Sequence, residues 1–182
     1  MRYQNIDFSL KQALALVIYK VFLVWLPASP TPIVGKACRK LRYFCCKNIF
    51  QYCGKNINIE RGASFGSGFR LSIDDNSGIG INCHVPGNIV IGKNVMMGPH
   101  CYFLSENHAF DRLDVPIIEQ GSTTQLDTII EDDVWIGRQV IFTPGRTVKK
   151  GSIIAAGCLL SKDFPECSIV GGNPSRLIKK RF

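Results

Sequence analysis

The sequence's clearest candidates for chemistry are three histidines, His84, His100 and His108, and the polar run around the last of them. A free imidazole titrates near ~6.5, so close to neutral pH it can take a proton from a hydroxyl and hand it to a leaving group. His108 sits in the run Asn107, His108, Ala109, Phe110 and Asp111, followed by Arg112, Asp114, Pro116, Gln120 and Gly121. By itself, a histidine in such a run reads as a solvated loop residue. Asp111 has two readings: it orients the loop or an acceptor, or it caps a turn. Eight cysteines are many, but their spacing fits neither a zinc framework nor a small secreted disulfide scaffold. Reduced thiols and a cytoplasmic location are the expectation.

The elements that must position these residues show as a repeat. From residue 73 a large apolar side chain returns every six positions: Ile73, Ile79, Val85, Ile91, Met97, Phe103. Four residues after each stands a companion: Ser77, Cys83, Ile89, Val95, Cys101, Asn107. The pattern resumes at Ile130 and runs through Ile136, Phe142, Val148, Ile154 and Leu160, with companions Val134, Val140, Arg146, Ser152, Cys158 and Phe164. An earlier register through Cys53, Ile59 and Phe65 slips by two residues before Ile73. A period of six suits neither an amphipathic helix nor an alternating strand. It suits a solenoid in which each hexad is a short flat strand plus a corner, three hexads make a triangular coil, and the large side chain fills the interior. Stacked coils then bury what one coil cannot. Cys83, Cys101 and Cys158 read as small core fillers. Arg146, a charge at a companion position, reaches a carboxylate or marks a local opening of the coil.

Between Phe103 and Ile130 the repeat fails for about 25 residues, and a break that long inside a regular solenoid is usually functional. The loop's NHAFDRLDVPIIEQG, the later DDVWIG, the following PG and the closing SKDFPECSIVGGNPSRLIK resemble the hexapeptide-repeat O-acetyltransferases. The nearest subgroup is the one acting on colanic acid, capsular and other exopolysaccharide sugars, and the likeness covers roughly residues 54–182.

The resemblance implies a mainly β fold: a left-handed parallel β-helix with an N-terminal helical segment and an extruded catalytic loop. It also implies a homotrimer with sites in the clefts between neighbouring β-helices, acetyl-CoA as donor, and a sugar or glycan as acceptor. His108 matches the general base that deprotonates a sugar hydroxyl for direct attack on the thioester, without a covalent intermediate. A backbone N–H at a coil corner would hold the oxyanion. Trp135 should point outward, as a subunit contact or a wall for the pantetheine arm. Ala156, Ser161, Lys162, Arg176 and Lys179 match positions that touch CoA, whose phosphates call for cationic side chains. Arg138 matches another such position, where the family residue is small. Cys158 stands where a serine is common. The same fold hosts a zinc-dependent carbonic anhydrase class, but His84, His100 and His108, spaced by 16 and 8, lack that class's close histidine pair and catalytic carboxylate. No metal is expected.

Three segments follow: a basic helical part over 1–55, the β-helix over 56–165 with its extruded loop at 104–128, and a tail over 166–182. Residues 1–55 carry nine basic side chains against one acid, Asp7, whereas the remaining 127 residues hold 13 of each. The basic character therefore belongs to the N-terminal arm, which argues against a nucleic-acid partner for the main domain. Residues 6–26 read as a nearly apolar helix halted by Pro27, Pro30 and Pro32; its apolar stretch from Ala13 to Leu26 contains Lys20, lacks a secretory cleavage signal and, at 14 residues, is too short for a membrane span of ~20. A second helix is expected from Val34 to Phe50, with Val34, Cys38, Leu41 and Cys45 at helical spacing. This arm caps the open end of the solenoid, attaches peripherally to anionic lipid on the inner face of the membrane through residues 1–50, or does both. Three functions stay open: O-acetylation of a sugar in exopolysaccharide, capsule or a precursor; acetylation of a small acceptor; and a catalytically silent trimeric scaffold.

Overall fold

The computed structural model describes residues 2–3 and 6–182. Residues 1, 4 and 5 of the N-terminal arm, part of the expected membrane-contact segment, lie outside the described residues.

From Tyr52 onward the chain winds into a β-solenoid of two-residue parallel strands on three faces. The hexad explains each strand. Its second residue points inward: Ile73, Ile79, Ile91, Phe103, Ile130, Ile136, Phe142, Val148, Ile154 and Leu160 are all buried, while Met97 is half-buried. The companions Cys83, Ile89, Val95, Cys101, Val134, Val140 and Cys158 are buried beside them. One residue ahead of most companions the chain turns with a positive φ, at Asn76, Asn82, Asn94, His100, Asp133 and Gln139 among others. Asparagine tolerates that left-handed region better than most residues, and here it adds a ladder. Asn56 Nδ2 donates to Asn76 Oδ1 at 3.0 Å, and Asn76 Nδ2 donates to Asn94 Oδ1 at 3.3 Å. His100, which invited a metal reading, is one of these corner residues.

Register dates each irregularity. Tyr52 pairs with Ser72 and Asn58 with Gly78, so the first coil takes 20 residues. Ser72 pairs with Val90, the regular 18. Val90 pairs with Ile129, a step of 39 that inserts 21 residues as the extruded loop. Ile129 then pairs with Thr147, and the step is 18 again. Arg146 does reach a carboxylate: its guanidinium lies 3.5 Å from Asp163 and donates to the carbonyls of Pro144 and Ser161. Ser168–Gly171 and Arg176–Lys180 form an antiparallel hairpin that extends the face holding Trp135–Ile136 and Ile153–Ile154.

The other end is covered by two helices, α1 (Leu10–Val21) and α2 (Gly35–Cys46). A capping box between Ser9 and Gln12 starts α1. Its Ala15 and Tyr19 face inward; Tyr19 packs on Phe65 at 4.7 Å and its hydroxyl donates to Ala63 O at 2.8 Å. Capping is thus what the inner side of α1 does. The helix is shorter than the expected 6–26, because a 3₁₀ turn at Leu23–Trp25 follows Val21 ahead of Pro27. α2 ends at Cys46 rather than Phe50, since Ile49 and Phe50 turn into the open coil and are buried there. Its buried face is also rotated from the expected one: Gly35, Cys38, Arg42 and Cys46 point inward, while Val34 and Leu41 are exposed.

Arg42 accounts for that rotation. It is fully buried because the solenoid and the linker offer it acceptors. Nε donates to Ile59 O at 2.6 Å, and Nη1 to Leu26 O and Pro27 O at 3.1 and 3.0 Å. Glu60, 7% exposed, lies 3.7 Å from Nη2 and accepts from Ser29 N and Asn58 Nδ2. Burial pushes the Glu60 carboxyl upward, but the Ser29 and Asn58 hydrogen bonds and the Arg42 charge outweigh it and hold the group below its ordinary value. A depressed carboxylate contributes stability that is complete above its unfolded pKa and is lost as pH falls through the folded one. Thermal unfolding of wild type should therefore show a Tm that drops as pH falls below the ordinary glutamate range. In Glu60→Gln that drop should be shallower and Tm at neutral pH lower. Parallel Tm–pH curves for the two proteins would remove Glu60 from this role.

Candidate active site

The loop leaves the solenoid just after Leu104, whose N–H still bonds Phe142 O, and returns at Leu126, whose N–H bonds Ser105 O at 2.9 Å. Its stem is a two-stranded ribbon. Thr123 N donates to Asn107 O at 2.7 Å, Ala109 N donates to Gly121 O at 3.0 Å, and His108 stands opposite Ser122. At the tip Gln120 binds both the N–H and the C=O of Arg112. The ribbon fixes the backbone of His108 while its side chain stays exposed and makes no hydrogen bond among the described residues. Asp111 is exposed three residues further on and caps no turn among the described residues.

Beside the loop roots lies a cleft of about 410 Å3, lined by Arg70, His84, Asn88, Ser105, Glu106 and Gln125 among others. Gln125 Nε2 donates to Asn88 Oδ1 at 3.1 Å, and Asn88 Nδ2 donates to Asp127, so the returning limb of the loop is pinned to a coil corner. His84 lies flat on Tyr102, ring centres 4.7 Å apart. Burial lowers its pKa, which favours a neutral imidazole at neutral pH. The sequence reading did not single out Arg70, Asn88 or Gln125. A signal existed, because the two-residue slip before Ile73 is the lengthened corner that carries Gly66 and Arg70 into this wall. A second cleft, about 460 Å3, lies between the helical linker and the first coils. Its polar groups Arg39, Asn56 and Glu60 are already engaged, Asn58 Nδ2 donates to Glu60 while Asn58 Oδ1 has no hydrogen-bond partner among the described residues, and no histidine lines it.

The residues matched to CoA positions fall into three places. Trp135 is half exposed and points outward, between Met96 on one side and Ile153 on the other; on that same face Lys179 pairs with Ile169. At the next corner Arg138 O accepts from Gly157 N at 2.9 Å, and Arg138 and Ala156 are exposed. This corner is built for close approach: a Cβ on Gly137 would stand 2.5 Å from Ala156 N, and one on Gly98 would stand 2.7 Å from Arg138 N. Ser161 lies one corner on, where its N–H donates to Ser175 Oγ at 3.1 Å and so joins it to the Arg176 strand. Lys162 sits 5.5 Å above the Phe164 ring. No hydrogen bond, ion pair or ring contact among the described residues joins His108 to any of these. Nor does any group of three His, Cys, Asp or Glu side chains among the described residues gather as a metal site.

No family model matches the chain. Individual proteins do. A chloramphenicol acetyltransferase of Agrobacterium fabrum is 31% identical over 157 residues, 85% of this chain and 69% of the relative. The chain belongs to the hexapeptide-repeat acetyltransferases. A solved maltose O-acetyltransferase from Clostridium difficile 630 superposes on this family member with a TM-score of 0.73 at 27% identity, covering 93% of this chain and 86% of that one. A relative from Schizosaccharomyces pombe is 39% identical over 92 residues, half of this chain. That match spans only 43% of the relative's own length.

Proposed function

We propose that the protein is an acetyl-CoA-dependent O-acetyltransferase acting on a sugar hydroxyl of an exopolysaccharide, a capsule or a precursor of either, and that it works as a homotrimer. The observation that carries this reading is one imidazole, His108, held out on a hydrogen-bonded ribbon beside a polar cleft, in a chain of acetyltransferase lineage. A cleft lined by Arg70, Asn88, Glu106 and Gln125 suits a polyhydroxylated acceptor better than an apolar one. His108 is exposed on its own chain and touches none of the donor-side residues, which supports a site completed by a neighbouring copy.

In this mechanism His108 removes the proton from the acceptor hydroxyl as its oxygen attacks the thioester carbonyl. The new C–O bond forms, the C–S bond breaks, and the imidazolium returns the proton to the departing thiolate. Asp111 orients the loop or the acceptor. Trp135, Ala156 and the close-packed corner at Gly137 flank the pantetheine arm, while Arg138, Ser161, Lys162, Arg176 and Lys179 hold the phosphate-bearing end.

Titration of acetyl-CoA into the purified protein by calorimetry tests the donor half without knowledge of the acceptor. Saturable binding near one donor per chain is expected, weakened by Lys162→Ala with Arg176→Ala. A folded protein that binds no acetyl-CoA would leave the scaffold reading standing. A second reading, transfer to a small acceptor, is favoured by the chloramphenicol acetyltransferase likeness and by the modest cleft. Acceptor screening with oligosaccharides against free sugars, amines and chloramphenicol separates the two.

A further inference from the structure

The inner side of α1 caps the solenoid, but its outer side is left exposed by the described residues. Leu10, Leu14, Val17, Ile18, Val21, Phe22 and Trp25 are 40–69% exposed. At 100° per residue the ones within α1, Leu10, Leu14, Val17, Ile18 and Val21, fall within about 100° of one another on the helical wheel, and Ala15 and Tyr19, which face the core, lie outside that arc. Lys11 and Lys20, both exposed, flank the stripe on either side. Next to α1, α2 repeats the composition: Leu41 and Phe44 are exposed, bordered by Lys36, Lys40 and Lys47. A contiguous apolar surface of this kind on a folded chain marks an interaction site.

We infer that this face docks on an anionic lipid bilayer. Charge decides between a membrane and another protein surface. From Phe8 to Ile59 the sequence holds eight basic side chains and no aspartate or glutamate. Only Arg42 among them is buried, against Glu60. A second copy meeting the stripe face to face would bring lysines against lysines. Anionic headgroups complement the lysine rim, while the acyl boundary accepts the leucine and valine stripe. Lysine stems can lie along the apolar face with their ammonium groups at headgroup level. Phe22, which caps α1, and Trp25, in the 3₁₀ turn after it, are the bulky and amphipathic residues that settle at such an interface. No helix among the described residues is long and apolar enough to cross a membrane, so α1 lies along the surface. The coil strand that feeds the His108 loop stands two strand spacings, about 10 Å, from the capped coil. Docking through α1 would therefore hold the loop near headgroup-bound glycan, although the docking itself does not depend on the acetyl-transfer reading.

The test is flotation of the full-length protein with vesicles of phosphatidylcholine containing phosphatidylglycerol, against phosphatidylcholine alone. The protein should float with the anionic vesicles, and much less at raised salt. Leu14→Ser with Val21→Ser should lower the bound fraction by more than about tenfold while leaving circular dichroism and assembly state unchanged. Lys11→Gln, Lys20→Gln and Lys36→Gln should each lower it about fivefold, and only at low salt. The inference is overturned if wild type stays with the soluble fraction. It is equally overturned if neutral and anionic vesicles bind alike, or if the Leu14/Val21 variant loses its assembly state, which would make the stripe a subunit contact.

Discussion

His108→Ala is expected to lower acetyl transfer by about 10²–10⁴-fold while leaving acetyl-CoA affinity nearly unchanged. The argument rests on where the side chain is. Its ring makes no hydrogen bond among the described residues, and the ribbon that carries it is held by backbone bonds between Asn107–Ala109 and Gly121–Thr123. Truncation therefore removes an acid–base group without removing support from the loop or the solenoid. A structural residue would behave differently, with lost transfer tracking lost stability or lost donor binding. The measurement is steady-state transfer to an acceptor, with calorimetric acetyl-CoA binding and Tm on the same preparation. Wild-type turnover in the variant would end the base assignment. His84→Ala is the informative companion, because that ring is stacked on Tyr102 and lines the cleft. It should alter acceptor KM more than kcat.

The second large effect concerns the interior. Phe142 is fully buried and lies parallel to Phe103, ring centres 3.9 Å apart, directly above the strand from which the loop departs. Phe142→Ala should destabilise the protein by about 3–5 kcal/mol, the usual toll of emptying an aromatic site in a close-packed core. Neighbouring coils cannot collapse into the space, because the strand spacing is set by backbone hydrogen bonds on all three faces. Urea unfolding at fixed protein concentration reads the change, with Leu113→Ala, a fully exposed loop position, as a near-neutral control. A loss for Phe142→Ala no greater than for that control would mean the column is not what holds the coils together.

Much of this architecture was readable from spacing. Ile73 through Phe103 and Ile130 through Leu160 announced inward positions at a period of six, and nearly all are buried. The two-residue slip before Ile73 was legible as a slip, and it became the longer first coil. Asn107 also followed the period, yet it is exposed, because the chain has already left the coil at Leu104. In α2 a helical period alone chose Val34 and Leu41 as buried positions. The structure instead buries Arg42, since four carbonyl and carboxylate partners from other segments wait for it. No local pattern encodes partners that distant.

The sequence alone thus determined the solenoid, the place of its interruption and the family likeness of the loop and tail, because each rests on a short-range pattern of side-chain type repeated along the chain. Only the tertiary structure decided which side of α1 meets the core and which stays bare, that Arg146 finds Asp163, and that Arg70, Asn88 and Gln125 share one cleft with His84. Those facts depend on coil-to-coil register and on the angle at which the helices seat on the first coil. Contacts between residues tens of positions apart set both.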